Sequence, residues 1–227
     1  MKLNKIVGTI AMTLLALSLL LTVIDYFCFD RSFYKNQYLK NNTTAYTNMN
    51  EEDLMKATDT LLDYLRDLRD DIKVEGIVNG AVREIYDERE TLHMVDVKAL
   101  YLNVIKVRNW ITIIGIIALL VSLFLYKGNK YYFLRSCFNT GILILFLIVI
   151  AILLYALADF NRFWINFHHV FFTNDLWLLD PNISIMINMF PEPFFREIVL
   201  RIIFWYLGII LVLWRVLNIP YKRSLKG

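Results

Sequence analysis

Four stretches of the chain are almost continuously apolar, and each is long enough to cross a bilayer as a helix. They run over residues 6–24, 110–126, 137–158 and 198–217. Lys2 and Lys5 precede the first stretch, which is too long for an ordinary signal-peptide core and lacks a small-residue cleavage pattern before Asp25. We therefore interpret residues 1–26 as an uncleaved signal anchor and predict an all-α membrane protein with four transmembrane helices.

Mixed polar and apolar residues between the first two stretches predict a small folded cap at residues 27–108. Asn50 and the three acidic residues after it are typical of a helix start. Positions at helical spacing extend this amphipathic helix to about residue 71: Leu54, Thr58, Leu61, Leu65 and Leu68. Asn79-Gly80 predicts a short hairpin within residues 72–86. Asp87 and Glu90 form a capping-box pattern, so a helix should begin there and run into the second span.

Residues 109–227 contain the three further spans and a segment at 159–196 of different character. Its first part, residues 160–172, is densely aromatic and is predicted to lie in the plane of the membrane interface. Asp180-Pro181 predicts the start of a short helix, since proline suits the first helical position. Pro191 and Pro193 should end that helix and open the fourth span.

Charge becomes informative when it is divided by position. Residues 1–24, 127–135 and 215–227, the last of which includes Lys226, carry nine Lys and Arg and no Asp or Glu. The positive-inside rule places these segments, and hence both termini, in the cytoplasm, with the cap and residues 159–196 outside. Cys28 and Cys137 then lie at opposite membrane faces and should not pair. No basic face with interleaved aromatic residues suggests a nucleic-acid partner.

The three histidines, His93, His168 and His169, all fall on the predicted outer side near a membrane boundary. His93 and Asp96 are neighbours on a helix, so the carboxylate could fix the imidazole tautomer. An interfacial histidine is often only an amphipathic residue, and the residues alone leave both interpretations open. We expect no metal site and no other cofactor, because there is no HExxH pattern and adjacent histidines rarely face one ion. Nothing near Cys28 would activate it as a nucleophile.

Two motifs carry a resemblance to a known family. They are Glu90-x-x-His93-Met94-x-Asp96-Val97-Lys98 and Phe167-His168-x-x-Phe171-Phe172-x-x-Asp175-x-Trp177, followed by Pro191-x-x-Phe194. These motifs, the order of the spans and the position of the cap resemble the lipoprotein intramolecular transacylase (Lit) family of Gram-positive integral membrane proteins. The resemblance implies a bacterial cell-membrane enzyme whose substrate is a diacylglyceryl lipoprotein. It implies transfer of an acyl chain from the sn-2 glyceryl oxygen to the α-amine of the N-terminal Cys, giving a lyso-form lipoprotein.

The resemblance places the catalytic roles on His93 and His168, with His169 as a competitor for the second role. An α-ammonium must lose a proton before it attacks an ester, and the departing alkoxide must gain one, so two imidazoles could serve as base and acid in either assignment. Supporting or orienting roles are expected for Glu90, Asp96, Asp175, Asn174 and Arg162. Aromatic walls that exclude water are expected from Trp164, Phe171, Phe172 and Trp177. The oxyanion donor could be Arg162, Asn174 or a backbone N–H.

Two alternatives remain at the level of the sequence. The protein could be a non-catalytic membrane scaffold or sensor whose cap binds a partner, with the predicted helix 51–71 as the contact face. It could also be a lipid-ester hydrolase in which the same histidines activate water. Membrane lipids are expected partners in every case, and the sequence makes no prediction of an oligomeric state.

Overall fold

The structure, a computed structural model, describes residues 2–224, with side chains for residues 2–218. Lys226, one of the predicted cytoplasmic cations, lies outside the described residues. Nine helices and one two-stranded sheet are present in the described range. Four helices are long and apolar enough to cross a membrane: α1 (Lys2–Cys28), α5 (Glu88–Leu125), α6 (Lys130–Ala158) and α9 (Glu192–Ser224). The predicted fold class, with four membrane-crossing helices, is confirmed.

The shorter elements lie between these helices. They are α2 (Arg31–Lys40), α3 (Thr43–Thr47), α4 (Glu51–Leu65), β1 (Glu75–Val78), β2 (Ala81–Glu84), α7 (Phe160–Phe171) and α8 (Ile185–Met189). The chain divides into two compact units. The spanning unit contains residues 2–24, 105–165 and 202–224, and the cap unit contains residues 25–104 and 166–201.

Within the spanning unit, α1 packs closely against α6 and α9. A side chain at Gly141 of α6 would meet the Thr13 backbone nitrogen at 2.9 Å, so glycine permits this approach. The hydroxyl of Tyr206 in α9 donates to the carbonyl of Ala16 at 3.2 Å. Close approach at small residues and hydrogen bonds between helices are the usual basis of association in a membrane, where lipid tails are as apolar as leucine.

Within the cap unit, α4 supplies the central apolar face. Leu54 and Leu61 are buried, and the hydroxyl of Tyr38 in α2 shares a 2.6 Å hydrogen bond with Thr58. The predicted extension of this helix to residue 71 is wrong, because α4 ends at Leu65. Asp67 then adopts a left-handed conformation with φ of 62°, which a continuing helix excludes, and Leu68 is 70% exposed.

The hairpin and the start of α5 follow the sequence prediction. Asn79 and Gly80 have φ values of 53° and 77°, as a two-residue turn of type I′ requires, and Val78 pairs with Ala81. Asp87 and Glu90 form the capping box, since each backbone N–H donates to the other's carboxylate at 2.7 Å. The helix then continues without interruption to Leu125.

The second part of the cap unit differs from prediction at one helix start. Asp180 accepts backbone hydrogen bonds in a turn, and α8 begins only at Ile185, with Ser184 as its N-cap. The predicted start at Asp180-Pro181 is therefore wrong, because the Ser184 side chain can cap the helix that follows it. The fourth span opens as predicted between Pro191 and Pro193.

Candidate active site

Two buried imidazoles face each other in the cap unit. His93 lies in the second turn of α5, and His168 lies in the last turn of α7. Their ring centroids are 6.1 Å apart, and the residues are only 6% and 5% exposed. The fold thus brings together two ionisable side chains that are distant in sequence, and such buried clusters of titratable groups are concentrated at functional sites.

Aromatic rings enclose this histidine pair. Phe172 contacts both, with its ring centroid 5.3 Å from that of His93 and 5.7 Å from that of His168. Trp177 stacks on His168 with centroids 4.6 Å apart and planes at 25°. Both aromatic residues are buried, and their expected role in excluding water stays a prediction. Phe171 instead packs against Phe167 and is 48% exposed.

The histidine doublet divides into one inner and one outer residue. Successive residues of a helix point about 100° apart, so both rings cannot face the same way. His168 is buried, while His169 is exposed and touches the edge of Trp177 at 5.3 Å. The geometry therefore favours His168 as the partner of His93.

Glu90 ties the start of α5 to the start of α8. Its side chain is fully buried, and one carboxylate oxygen accepts hydrogen bonds from the Ser184 hydroxyl at 2.6 Å and the Met186 backbone N–H at 2.7 Å. The other oxygen completes the capping box with Asp87. Glu90 supports the structure around the site through these three bonds.

Asp96 binds Asn174 rather than His93. The Asn174 amide donates to the Asp96 carboxylate at 2.9 Å, and its oxygen accepts from the Leu176 N–H at 3.1 Å. Nδ1 of His93 has no hydrogen-bond partner within the described part of the chain. The expected tautomer-fixing bond from Asp96 is therefore not formed, and Asn174 instead shapes the loop that leads to Trp177.

Arg89 is a site-forming residue that the sequence analysis missed. Its guanidinium donates to the carbonyl oxygens of Leu178, at 3.2 Å, and of Asp175. Asp175 therefore contributes to this turn through its backbone carbonyl. Arg89 fixes both ends of the turn that carries Trp177, yet an arginine beside a capping box has the sequence appearance of an ordinary surface residue. Arg162 and Trp164 belong to the spanning unit, and their roles stay predictions.

His93 lies in the charged first part of α5, ahead of the apolar stretch that begins at Trp110. Burial lowers the pKa of His93 from 6.5 to about 4, and the positive charges that His168 and Arg89 can carry act in the same direction. Asp96 opposes them. The His93 imidazole is therefore neutral near pH 7 and can accept a proton.

The family model of the lipoprotein intramolecular transacylase Lit matches residues 9–195, which is most of the chain and includes both histidines. The chain belongs to the Lit family. It is thus a membrane-integral acyltransferase of the lipoprotein intramolecular transacylase class, and the sequence-based prediction of that family is confirmed. No sequence match was found among curated proteins.

Solved structures of a Lit enzyme share the fold. The membrane-integral Lit from Bacillus cereus is 22% identical, with a TM-score of 0.74 over 98% of this chain and 99% of that one. A variant of that enzyme with a histidine changed to arginine is 20% identical to this chain. Its TM-score is 0.76, with 98% of this chain and 95% of that one covered. A variant with the histidine changed to alanine is also 20% identical, with a TM-score of 0.76 over 100% of this chain and 97% of that one.

The depressed pKa of His93 predicts acid lability of this Lit family member. Between pH 6.5 and about 4 the unfolded chain protonates this imidazole while the folded chain does not. The unfolded state then binds more protons, so stability should fall as the pH is lowered through this window. Melting temperatures in detergent, measured from pH 7.5 to pH 4, should drop less steeply for His93→Gln than for the wild type. Parallel curves would show that His93 titrates normally.

Removing Arg89 should slow acyl transfer, because the turn that carries Trp177 loses two charge-assisted hydrogen bonds. We expect Arg89→Ala to lower kcat by about tenfold, which corresponds to an increase of about 1.4 kcal/mol in the activation free energy. Arg89→Lys keeps the charge but not the forked donor, so it should recover little of the loss. Arg83→Ala, on exposed β2, is the matched control and should leave kcat unchanged. Recovery of full activity by lysine would mean that charge alone matters.

Proposed function

We propose that the protein moves an acyl chain from the sn-2 glyceryl ester of a diacylated lipoprotein to the α-amine of its N-terminal cysteine, which yields the lyso-form. The observation that carries the proposal is the pair of buried imidazoles, His93 and His168, with ring centroids 6.1 Å apart. Two such groups can serve as base and acid in a reaction in which one proton leaves a nitrogen and another reaches an oxygen.

His93 acts as the base and His168 as the acid. The α-amine attacks in its neutral form, after its ammonium has lost a proton to water. The neutral form of His93, favoured by its lowered pKa, takes a proton from the attacking nitrogen as the new nitrogen–carbon bond forms. His168 gives a proton to the glyceryl oxygen as the carbon–oxygen bond breaks. A proton passed on from one imidazole to the other restores the resting state, and no acyl-enzyme is needed because donor and acceptor belong to one molecule.

The surrounding residues hold the substrate and keep water away. Amine and ester of one molecule already have a high effective concentration, and a rigid site increases it by fixing their orientation. Phe172 and Trp177 cover the histidines, which favours amide formation over hydrolysis of the ester. This enclosure favours the transacylase over the hydrolase, and two buried imidazoles give a scaffold no advantage.

The topology fits this substrate. We propose that both termini are cytoplasmic and that the cap unit is extracellular, because the segments at 1–24, 127–135 and 215–227 contain Lys and Arg without acidic residues. The cap unit would then lie on the membrane face where mature lipoproteins are anchored. Cysteine-labelling of single-cysteine variants on each side would test this orientation.

Mass spectrometry of a reporter lipoprotein tests the chemistry. The reporter is expressed with and without the protein in a host that makes only the diacylglyceryl form, and its N-terminal peptide is sequenced. The expected product carries an N-acyl cysteine and one acyl chain on glyceryl at unchanged total mass. A peptide lighter by one acyl chain would indicate a hydrolase. A peptide with both chains still on glyceryl, from cells that contain folded protein, would indicate a scaffold.

A further inference from the structure

Two buried polar atoms at the histidine pair have no hydrogen-bond partner. Four such side-chain atoms occur in the described part of the chain, and two of them are Nδ1 of His93 and Nε1 of Trp177. Both rings flank His168, at 6.1 Å and 4.6 Å between centroids. Native structures pair nearly all buried polar atoms, so this unpaired donor and this unpaired ring nitrogen are atoms that a bound substrate or an ordered water would complete.

Trp177 is held in place from both sides. Arg89 donates to the carbonyls of Asp175 and Leu178, which flank the tryptophan. The side-chain oxygen of Asn174 accepts a hydrogen bond from the N–H of Leu176. Trp177 itself is 7% exposed, and its indole stacks on His168. An N–H that is fixed before the substrate arrives needs no reorganisation during the reaction, which is the property that makes a donor effective in stabilising a transition state.

Acyl transfer needs a donor that neither histidine supplies. When nitrogen attacks the ester carbon, the carbonyl oxygen becomes an alkoxide, while the two imidazoles are engaged with the nitrogen and the leaving oxygen. The Asn174 amide, one donor considered from the sequence, is already bound to Asp96. The indole N–H of Trp177 can only donate, and it is unused.

We propose that the Trp177 indole N–H donates to the carbonyl oxygen of the migrating acyl group and stabilises the oxyanion of the tetrahedral intermediate. This inference rests on the proposed function. In the step, the amine nitrogen bonds to the acyl carbon and the carbonyl electron pair moves onto oxygen, where it accepts the bond from Trp177. The pair then returns as the carbon–oxygen bond to glyceryl breaks, and His168 protonates the departing oxygen. No external reactant is consumed.

A single-atom replacement tests this role. Trp177 is replaced by 3-benzothienylalanine, which keeps the bicyclic ring and its stacking but has sulfur where tryptophan has N–H. Transacylation of a synthetic diacylglyceryl lipopeptide is followed by mass spectrometry. We expect kcat to fall by about 10²–10³-fold, as for other single oxyanion donors, with KM within a few-fold of wild type. The matched control is the same replacement at Trp110, which is 65% exposed on α5 and should leave kcat unchanged.

The outcomes separate the two levels of the proposal. A retained kcat, or a rise in KM alone, would show that Trp177 is only a wall and would overturn its role while the function stands. If the wild-type protein forms no N-acyl product, the proposed function fails and this inference fails with it. Trp177→Phe, which also lacks the N–H, should reproduce the loss of kcat, and its melting temperature shows that the fold is retained.

Discussion

Changing either His93 or His168 to glutamine should lower the rate of N-acylation by about 10²–10⁴-fold, the usual contribution of a general acid or base. Glutamine keeps polarity and approximate size but cannot exchange a proton near neutral pH. Both side chains are buried beside Phe172, and glutamine fills about the same space, so we expect the protein to stay folded and the loss to be chemical. The measurement is kcat for the synthetic lipopeptide, with melting temperature as the check on folding.

The double variant tests whether the two histidines act as a unit. Groups that share one proton-transfer path are strongly non-additive, so His93→Gln with His168→Gln should be little slower than the worse single variant. His169→Gln is the matched control, since it changes the exposed neighbour in the same turn of α7, and it should stay within a few-fold of wild type. Wild-type rates in both single variants would exclude histidine catalysis. A large loss in the His169 variant would transfer the acid role to that residue.

Local patterns predicted the parts of the fold that depend on nearby residues. The Asn79-Gly80 turn and the Asp87–Glu90 capping box are complete within a few positions, so their geometry could be derived from the sequence. The end of α4 could not be derived in this way, because Leu68 continues the apolar spacing of the helix, whereas Asp67 adopts a left-handed conformation that ends it. Helices α2 and α3 escaped prediction for a similar reason, since their burial depends on partners elsewhere in the chain.

The site was only partly predictable because its contacts join distant segments. His93 and His168 stood out as rare ionisable residues, and the motif around each carried the resemblance. Arg89 gave no such signal, since its value lies in reaching carbonyls 86 and 89 positions away. Helical spacing predicted a hydrogen bond between Asp96 and His93, but the Asp96 carboxylate accepts one from Asn174, which is distant in sequence. The sequence thus identified the two histidines as candidate reactive groups, while the residues that hold them could be found only from the fold.

Glu90→Ala should be the most destabilising single change in the cap unit. It leaves three donors without an acceptor: the buried hydroxyl of Ser184, the buried N–H of Met186 and the partly buried N–H of Asp87. Hydrogen bonds to a charged group contribute about 1.5–3 kcal/mol each, and they are not additive, so we expect a loss of about 3–5 kcal/mol. That corresponds to a fall of roughly 6–20 °C in melting temperature for a chain of this size. The measurement is a thermal melt in detergent.

Matched variants separate the three bonds and distinguish stability from catalysis. Ser184→Ala removes one donor and should lower the free energy of unfolding by about a third as much as Glu90→Ala. Glu88→Ala changes an exposed acid of the same helical turn and should leave the stability almost unchanged. Glu90→Gln turns one oxygen into a donor that faces another donor, so its loss of stability should be close to that of Glu90→Ala. Because Glu90 bonds to Ser184 and Met186 and not to the imidazoles, kcat of the folded fraction at low temperature should stay within a few-fold of wild type. A kcat loss as large as that of His93→Gln, at unchanged melting temperature, would instead make Glu90 part of the proton-transfer machinery.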